Sequence, residues 1–415
     1  MKKFNKVLAL VLALVFVVAA FAACGGNGGS DTPAADDSTA PAAGDLSNIK
    51  IGFIFLHDPS QSTYDNNFYE AALAAQKELG LTDEQVIFKW NVPEEGTDCY
   101  DTAADMIDQG CNIIFADSFG HESNMKLAAK DFPEVQFCHA TGTQAIVTDL
   151  ENYHNAFASI YEGRFLAGVA AGMKIKDMID SGKITVDQAK IGYVGAWPYA
   201  EVKSGYTSFY LGVKYIVPEV TMEVTYTNSW FDIALEKEGA LKLINDGCVL
   251  ISQHADSEGA PKACEEKGVP NVAYNMDTSP LGPTTAIISS KINWAPYFKL
   301  IIENTAKGEA IPDDWCGTIE TGSVELTKLN EAAAAAGTAE KIEEVKGKLL
   351  DGSLKVFDTA SFTVGGKALE SYKADVEDMG DFVGETEVIK DGYFAESEFR
   401  SAPYFDILID GITEM

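Results

Sequence analysis

From residue 49 onward, short apolar runs alternate with segments of helical periodicity. The run IKIGFIFL is followed by Phe68, Ala72, Ala75 and Leu79, which recur at the spacing of one helix face. Apolar runs predict further strands at QVIFKWNV, NIIFAD and VQFCHA, with helical segments between them. Strands that alternate with helices of this length predict an α/β fold with mostly parallel sheets and helices on both faces.

The pattern restarts at KIGYVGA, which begins at Lys190 and resembles KIGFIF at Lys50. In each half a later strand follows Gly-Cys, at Cys111 and Cys248, and precedes a loop of small and acidic residues. A shared order of elements at a near-constant offset indicates an internal duplication. We therefore expect two similar α/β lobes, the second with helices at 203–215, 232–246 and 257–267 and strands at 220–227, CVLISQ and VPNVAYN.

The last third of the chain does not repeat the cycle. TTAIISSKINWAPYFKLIIENTAKG predicts a strand and a helix, GTIETGSVELTKL a strand pair, and GTAEKIEEVKGKLLDGS a charged amphipathic helix. Residues 332–336 are a run of alanines that predicts a short helix or a loop, and the tail predicts strands and turns around DGYFAE. These pieces are too small to fold alone. We expect 48–155 plus 284–318 to form the first lobe and 156–283 plus 319–415 the second.

The beginning of the chain has the pattern of an export signal. Lys2, Lys3 and Lys6 precede an uncharged apolar run that ends in FAAC, so we expect a lipoprotein signal peptide over 1–23 and lipid on Cys24. A plain signal peptide cut nearby is the alternative, and a spanning anchor is disfavoured because no stop-transfer charges follow. The Gly/Ser/Asp/Thr/Pro/Ala-rich stretch 24–47 predicts a disordered tether. The folded part is then held outside the cell membrane by lipid.

Composition narrows the function further. The chain has 415 residues and a formal net charge of −32, with a sequence pI near 4.4. This acidity argues against nucleic acid as a partner and against a polybasic membrane patch, and it favours solubility. Six further cysteines could pair in an exported chain, but Cys111, Cys138 and Cys248 adjoin apolar runs, which favours free buried thiols.

Common catalytic and cofactor motifs are absent from the sequence. It contains no G-x-S-x-G, H-E-x-x-H, G-x-G-x-x-G, Walker A or C-x-x-C pattern. His254-x-Asp256-x-Glu258 could suggest a metal, but it has no partner cluster. We therefore expect no enzyme activity, no cofactor and no metal.

Ligands of parallel sheets bind beyond the carboxyl ends of the strands. The residues there combine aromatic rings with carboxylates, amides and an amine, which suits a flat ring that carries a polyol. The candidates are Asp58, Tyr64, Asp65, Phe119, Trp197, Asp256, Asn275, Asp277 and Lys291. Each loop Asp could instead be a helix cap, and Phe119 or Trp197 could belong to the core.

The segments STYDNNFYEAA, GYVGAWPYAEVKSGYTSFYLGVKYI, LISQHADSEGAPKACEEKGV, SSKINWAPYF and KIEEVKGKLLDG make residues 48–410 resemble the basic membrane protein (BMP) family of lipoproteins. The resemblance implies a type I periplasmic-binding fold, in which three crossover strands join two lobes that close on a ligand. It also implies a substrate-binding protein of an ABC importer, whose characterised relatives bind nucleosides, often purines.

The resemblance assigns roles residue by residue. Asp58 matches the family's ligand-binding Asp, Tyr64 stands at the stacking Phe, and Asp65 replaces an Asn. Phe119 matches Gly-Phe, Trp197 lies in the loop that reaches the base, and Asp256 replaces part of Gly-Thr-Gly. Asn275 stands where a ribose-binding Asp is expected, with Asp277 close by, and Lys291 matches a family Lys. Both Tyr64 and Trp197 follow the first strand of a lobe, so we expect them to sandwich a base.

The sequence thus favours a lipid-anchored receptor that delivers a nucleoside, with purine favoured, to the permease and ATPase of an ABC importer. Two alternatives stay open. One is a receptor of similar fold for a sugar or another small molecule, and the other is a secreted nucleoside-processing enzyme.

Overall fold

The computed structural model describes residues 45–415. The expected signal peptide, Cys24 and the tether up to residue 44 lie outside the described residues. The end of the expected tether is part of the fold, because Leu46–Asn48 forms one turn of 3-10 helix. The Gln85 amide fixes this turn by donating hydrogen bonds to the carbonyls of Leu46, at 2.8 Å, and Ile49, at 2.9 Å.

Strands and helices alternate along most of the described chain. In chain order the strands are β1 (Ile51–Ile54), β2 (Val86–Lys89), β3 (Ile113–Ala116), β4 (Gln136–Ala140), β5 (Tyr153–Ala158), β6 (Lys190–Gly195), β7 (Thr221–Tyr226), β8 (Leu250–Gln253), β9 (Asn271–Tyr274), β10 (Ala286–Ile292), β11 (Asp314–Gly317), β12 (Val324–Leu326), β13 (Lys373–Ala374), β14 (Thr386–Glu387), β15 (Ile389–Lys390), β16 (Tyr393–Phe394) and β17 (Ile412–Glu414). The helices are α1 (Thr63–Leu79), α2 (Asp98–Asp108), α3 (Glu122–Asp131), α4 (Ile160–Asp180), α5 (Ala200–Ile216), α6 (Ile233–Asn245), α7 (Gly259–Lys267), α8 (Ala295–Lys307) and α9 (Thr338–Leu350).

The first lobe is built on a parallel sheet of order β11-β5-β4-β3-β1-β2. Alternate side chains of β1 lie on the two faces of this sheet. Phe53 packs with Phe68 of α1 and Phe298 of α8, and Ile54 packs with Met106 of α2 on the other face. Both faces are buried, as a parallel sheet requires, which explains the continuous apolar run of β1.

The second lobe is built on a sheet of order β12-β10-β9-β8-β6-β7-β17, parallel except where β12 pairs antiparallel with β10. Helices α4 and α5 cover one face, and α6 and α7 cover the other. Two glycines let α4 and α5 cross closely. A Cβ on Gly168 would lie 2.2 Å from the Phe209 carbonyl oxygen, and one on Gly212 would lie 2.1 Å from that of Phe165. The α/β class with mostly parallel, helix-covered sheets is confirmed.

The chain crosses between the two sheets three times, after β5, after β10 and between β11 and β12. Two sequence expectations need correction here. Residues 284–318 were assigned to the first lobe, but β10 pairs with β9 and β12 of the second sheet, so the crossing follows Ile292. GTIETGSVELTKL was expected to be a strand pair, but β11 and β12 belong to different sheets. A crossover and a hairpin both consist of two short strands around a turn, which is why the sequence pattern did not separate them.

The tail after α9 packs on the second lobe. Val356, Phe357, Phe394 and Phe405 join its core, and β17 pairs in parallel with β7 at the sheet edge. Within residues 45–415, no helix has both the length and the apolar character needed to cross a membrane. The six cysteines in this range are free, and all but Cys316 are buried.

Candidate functional site

A small cavity lies where the carboxyl ends of the two sheets meet. Its volume is about 30 Å³, room for about one water molecule. The first lobe lines it with Leu56, His57, Tyr64, Asp65, Asp117, Ser118, Phe119 and Thr141, and the second lobe lines it with Glu201, Trp230, His254, Asp256 and Tyr274. We call this space the inner cavity. Four of the lining side chains are carboxylic acids, so an occupant with several hydrogen-bond donors suits it.

The two lobes touch each other across this cleft. The Thr63 amide of α1 donates a 2.9 Å hydrogen bond to the Asp256 carbonyl of the second lobe. The rings of Phe119 and Tyr199 lie 6.1 Å apart between centroids, and those of His57 and Phe231 lie 5.4 Å apart. The lobes are therefore held together in this structure by backbone and aromatic contacts at the cavity itself.

On the first lobe, Asp65 and Asp117 form a buried pair of acids. Ser62 caps α1 by accepting the Asp65 amide at 3.2 Å, which fixes Asp65 in the first turn. The Asp65 carboxylate accepts the His57 amide at 2.7 Å, and the Asp117 carboxylate accepts the Leu56 amide at 3.1 Å. Burial and the neighbouring Asp65 raise the pKa of Asp117 well above its ordinary value.

Asp117 also has unused hydrogen-bonding capacity. Its Oδ2 atom is buried and has no hydrogen-bond partner within residues 45–415. A buried polar atom without a partner is costly, so a ligand group that forms a hydrogen bond with Oδ2 would stabilise the complex. The Tyr64 hydroxyl donates to the Asp117 backbone carbonyl at 2.6 Å and does not engage the carboxyl group of Asp117.

On the second lobe, His254 and Glu201 meet at the cavity wall. Helix α5 begins at Ala200 rather than at the expected residue 203, and this earlier start places Glu201 in the first turn. The His254 Nε2 atom lies 3.2 Å from Glu201 Oε1. Burial lowers the pKa of His254 to about 4, so the imidazole is neutral at physiological pH.

Arg164 of α4 lies behind this wall. Its guanidinium carbon is 3.4 Å from the centre of the Tyr274 ring, and its Nη1 donates to the Gln253 carbonyl at 2.7 Å. Arg164 lowers the pKa of Asp256, whereas burial, the largest influence, raises it well above its ordinary value. The side-chain amide of Asn275 donates to Asp256 Oδ1 at 3.3 Å. The positive charge of Arg164 therefore supports the ring of Tyr274 and the ionised form of Asp256.

A second, larger space of about 320 Å³ adjoins the inner cavity and shares Leu56, His57, Phe119 and Trp230 with it. We call it the outer aromatic compartment. Its remaining lining residues are Glu94, Trp197, Tyr199, Asn228, Ser229 and Phe231. The rings of Trp197 and Tyr199 are stacked at 5.9 Å with an interplanar angle of 11°. These aromatic faces suit a planar or apolar ring.

The structure brings some of the predicted residues together and not others. Tyr64, Asp65, Phe119 and Asp256 line the inner cavity, and Asn275 lies behind Asp256. Three other predicted residues make their polar contacts outside the inner cavity. Asp58 accepts the amide and hydroxyl of Ser60, Asp277 is exposed and accepts the Ser279 amide, and Lys291 lies 3.8 Å from Glu325.

Tyr64 and Trp197 do not form the two walls of one slot. Tyr64 lines the inner cavity, where its ring packs edge-on against Trp294 at 6.4 Å. Trp197 lines the outer aromatic compartment instead. The duplication placed both residues after a first strand, but it did not reveal that Tyr64 lies in the first turn of a helix whereas Trp197 lies in a loop.

Several lining residues were not among the sequence candidates. Asp117 and His254 directly follow strands β3 and β8, and position alone could have nominated both. Trp230 follows β7, so its position after a strand could also have nominated it. Arg164 lies behind the wall and does not line it, and its signal was different, because it is a lone buried charge in the otherwise apolar segment RFLAGVAAG of α4. Within residues 45–415, no three His, Cys, Asp or Glu side chains are grouped so as to hold a metal ion.

Comparison with known proteins agrees with this architecture. Residues 49–354 match the sequence model of the Bmp family, described as ABC transporter substrate-binding protein PnrA-like. A purine-binding protein of Brucella abortus is 30% identical over 319 residues, which cover 74% of this chain and 83% of the relative. A putative ABC transporter glucose-binding protein of Haloferax volcanii is 28% identical over 272 residues, which cover 66% of this chain and 62% of the relative.

Solved structures share the fold. An ABC transporter solute-binding protein from Conexibacter woesei matches with a TM-score of 0.60 at 18% identity, over 74% of this chain and 98% of that one. The family match covers both lobes and all three crossings between the sheets. This chain therefore belongs to the Bmp family of PnrA-like ABC transporter substrate-binding proteins.

Proposed function

We propose that this protein is an extracytoplasmic receptor that captures a purine nucleoside between its two lobes and delivers it to an ABC importer. The observation that carries the proposal is the cleft itself, in which an acid-lined inner cavity adjoins an aromatic compartment. The purine-binding relative from Brucella abortus supports the choice of ligand.

The two compartments suit the two halves of a nucleoside. The base stacks against the ring of Phe119, which faces Tyr199 and belongs to both compartments. Hydroxyl and N–H groups of the ligand donate to carboxyl oxygens of Asp117 and Asp256, whose pKa values are raised by burial. Asp65 and Glu201 complete the acidic lining, and His254, whose ring nitrogens meet Glu201 and Tyr193, holds Glu201 in place.

Binding requires the cleft to widen. Ligand pockets have volumes of about 300–1,000 Å³, roughly ten times the inner cavity or more. Rotation of the lobes about the three crossings after β5, after β10 and between β11 and β12 would supply the space. We propose that the lobes move as separate bodies and that the closed form is the one that the transporter recognises.

We further propose that lipid on Cys24 holds the receptor at the outer face of the cell membrane, next to the permease and ATPase subunits. The support is the sequence pattern of Lys2, Lys3, Lys6 and the following apolar run. Cys24 lies outside the described residues. The receptor works without a cofactor and releases its ligand unchanged.

A sugar is the second candidate ligand. The relative from Haloferax volcanii is a putative glucose-binding protein, and an aromatic face with carboxylates also suits a sugar ring. A nucleoside is favoured because the outer aromatic compartment has a volume of about 320 Å³, room for a second ring beside the sugar.

Titration calorimetry decides between these ligands. Adenosine, guanosine and inosine are compared with adenine, guanine, ribose and glucose, and chromatography of the recovered ligand reports any conversion. We expect at least one nucleoside to bind tightly and to be recovered intact, and the free bases and sugars to bind more weakly. Glucose binding without nucleoside binding would refute the proposed ligand, and recovery of free base would refute the receptor role.

A further inference from the structure

The segment after residue 354 lies beyond the match to the family model. It is nevertheless part of the fold, because its apolar side chains, including Phe357, Phe394 and Phe405, join the core of the second lobe. Buried Arg400 holds the segment together by donating to the carbonyls of Val376, Ala402 and Pro403. Residues 355–415 therefore pack mainly on the second lobe, and Ala402 joins the core of the first.

This C-terminal segment also contacts the first lobe. The Ser401 hydroxyl donates to Asp314 at 2.6 Å, and its oxygen accepts from the Asn155 amide at 3.2 Å. The Asp378 carboxylate accepts the hydroxyl of Thr143 at 2.6 Å. Both Asn155 and Thr143 belong to the first lobe, so the segment links the two lobes.

The contacts converge on the loop 141–144, which follows β4. Thr141 of this loop lines the inner cavity and has a φ of 71°, an uncommon conformation for a β-branched residue. Such a backbone persists when its surroundings fix it. Asn155 bonds both backbone groups of Gly142, at 2.8 and 2.9 Å, and the Glu122 carboxylate accepts the Thr143 amide at 3.0 Å.

We infer that Asp378 is a positioning residue, which holds the cavity-lining loop 141–144 from the opposite lobe and thereby latches the closed cleft. Asn155 and Glu122 belong to the same lobe as the loop, so they hold it whether the two lobes are together or apart. Asp378 reaches Thr143 when the lobes are together, as they are here. The latch shapes the ligand-binding wall in the closed form and slows the release of the ligand. This inference rests on the proposed nucleoside-binding function.

The first test measures ligand release. Asp378→Ala and Thr143→Val each remove one side of the hydrogen bond, and Asp381→Ala is the matched control, because the Asp381 carboxylate accepts a hydrogen bond from Val383 of its own loop. Guanosine dissociation is followed by stopped-flow fluorescence. We expect each latch variant to release guanosine about tenfold faster at an unchanged association rate, and the control to behave like the parent.

A double-mutant cycle separates a latch from a general structural effect. The Thr143 hydroxyl also lies 3.3 Å from Glu122, a contact that Thr143→Val removes as well. If Asp378 acts through its bond to Thr143, Asp378→Ala speeds release in the parent but adds nothing in the Thr143→Val background. Asp378→Glu should restore slow release in part because it keeps an acceptor. Parental release rates in both single variants, or effects that add in the double variant, would overturn the inference.

Hydrogen exchange tests the same contact without ligand. The amides of Thr143 and Gln144 bond to Glu122 in the loop, and we expect them to exchange several-fold faster in Asp378→Ala but not in Asp381→Ala. If no nucleoside binds the parent protein, the proposed function fails, and the exchange rates alone decide the latch. Unchanged exchange in Asp378→Ala would overturn it.

Discussion

The ring of Phe119 on the first lobe faces the ring of Tyr199 on the second, 6.1 Å away and tilted by 39°. A planar base stacked between two rings needs about 7 Å between them, since each stacked contact spans about 3.5 Å. A movement of about 1 Å and a rotation of one ring would therefore create the slot. This pair, rather than Tyr64 with Trp197, is the structural candidate for a base sandwich.

We predict that Phe119→Ala and Tyr199→Ala each weaken nucleoside binding by roughly ten- to a hundredfold. Each variant removes the burial of one aromatic face and the stacking preference, and about 1.4 kcal/mol corresponds to tenfold. Titration calorimetry measures the loss. Phe382→Ala is the control, because this ring is 87% exposed and lies outside both compartments. Parental affinity in both cleft variants, with circular dichroism unchanged, would refute the sandwich.

Arg164 is predicted to act on binding through Asp256. Loss of its charge in Arg164→Met removes an influence that lowers the pKa of Asp256. Burial already raises the pKa of Asp256 well above its ordinary value, and without Arg164 this pKa rises further, so a ligand that donates to the carboxylate binds more weakly at a given pH. Affinity should recover as the pH rises and Asp256 ionises. Calorimetry from pH 6 to pH 9 measures this shift.

Arg164→Lys is the informative companion variant. Lysine keeps the charge but not the flat stack on Tyr274, so a smaller loss and a smaller pH shift are expected. A pH profile of Arg164→Met that coincides with that of the parent would contradict the electrostatic role and leave packing against Tyr274 as the function of Arg164.

Glu396 provides a prediction for stability against pH. Burial raises its pKa to about 7 from an ordinary value of 4.5. The folded state therefore binds the proton more tightly than the unfolded state, and this stabilisation is present below pH 4.5 and is lost as the pH rises through 7. Glu396→Gln has no carboxyl group to ionise and does not lose this stabilisation. Relative to the parent, it should therefore gain about 3 kcal/mol in free energy of unfolding between pH 4.5 and pH 8.

Urea unfolding followed by tryptophan fluorescence at several pH values measures that gain. Glu370→Gln removes an exposed carboxylate from the same C-terminal segment and is the control. If the difference in free energy of unfolding between Glu396→Gln and the parent stays constant from pH 4.5 to pH 8, Glu396 titrates normally in the fold.

The lipid anchor has a direct test. Cys24→Ser should abolish metabolic labelling with a fatty acid and release the protein from the membrane fraction, because the serine hydroxyl does not replace the acylated thiol. Cys316→Ser keeps Cys24 and should be labelled like the parent. A Cys24→Ser protein that stays labelled and membrane-bound would exclude Cys24 as the lipidated residue.

Much of the fold was predictable because it depends on local pattern. The apolar run of β1 is continuous because both faces of its sheet are covered, and α1 ends at Leu79 and is capped by Gly80, whose φ of 69° suits glycine. The candidate site was predictable where it depends on strand order. Tyr64, Asp65 and Phe119 follow the neighbouring strands β1 and β3 of the first sheet, and Asp256 follows β8 of the second sheet, whose carboxyl edge faces the same cleft.

The remaining site residues could not be ranked from the chain alone. Asp58, Asp277 and Lys291 also follow strands, but the first two fold back on neighbouring backbone groups and Lys291 lies beside Glu325. A polar residue after a strand serves equally well as a turn cap or as a ligand contact, and only its orientation separates the two uses.

By itself the sequence determined the alternation of strands and helices, the two-lobed duplication and the acidic character, because these follow from residue type and spacing along the chain. Tertiary structure decided which sheet β10, β11 and β12 join, since two strands around a turn can form a hairpin or a crossover. It also decided that Phe119 meets Tyr199 and that Asp378 reaches Thr143. These contacts join residues far apart in the sequence, and their geometry depends on how two separately patterned lobes pack against each other.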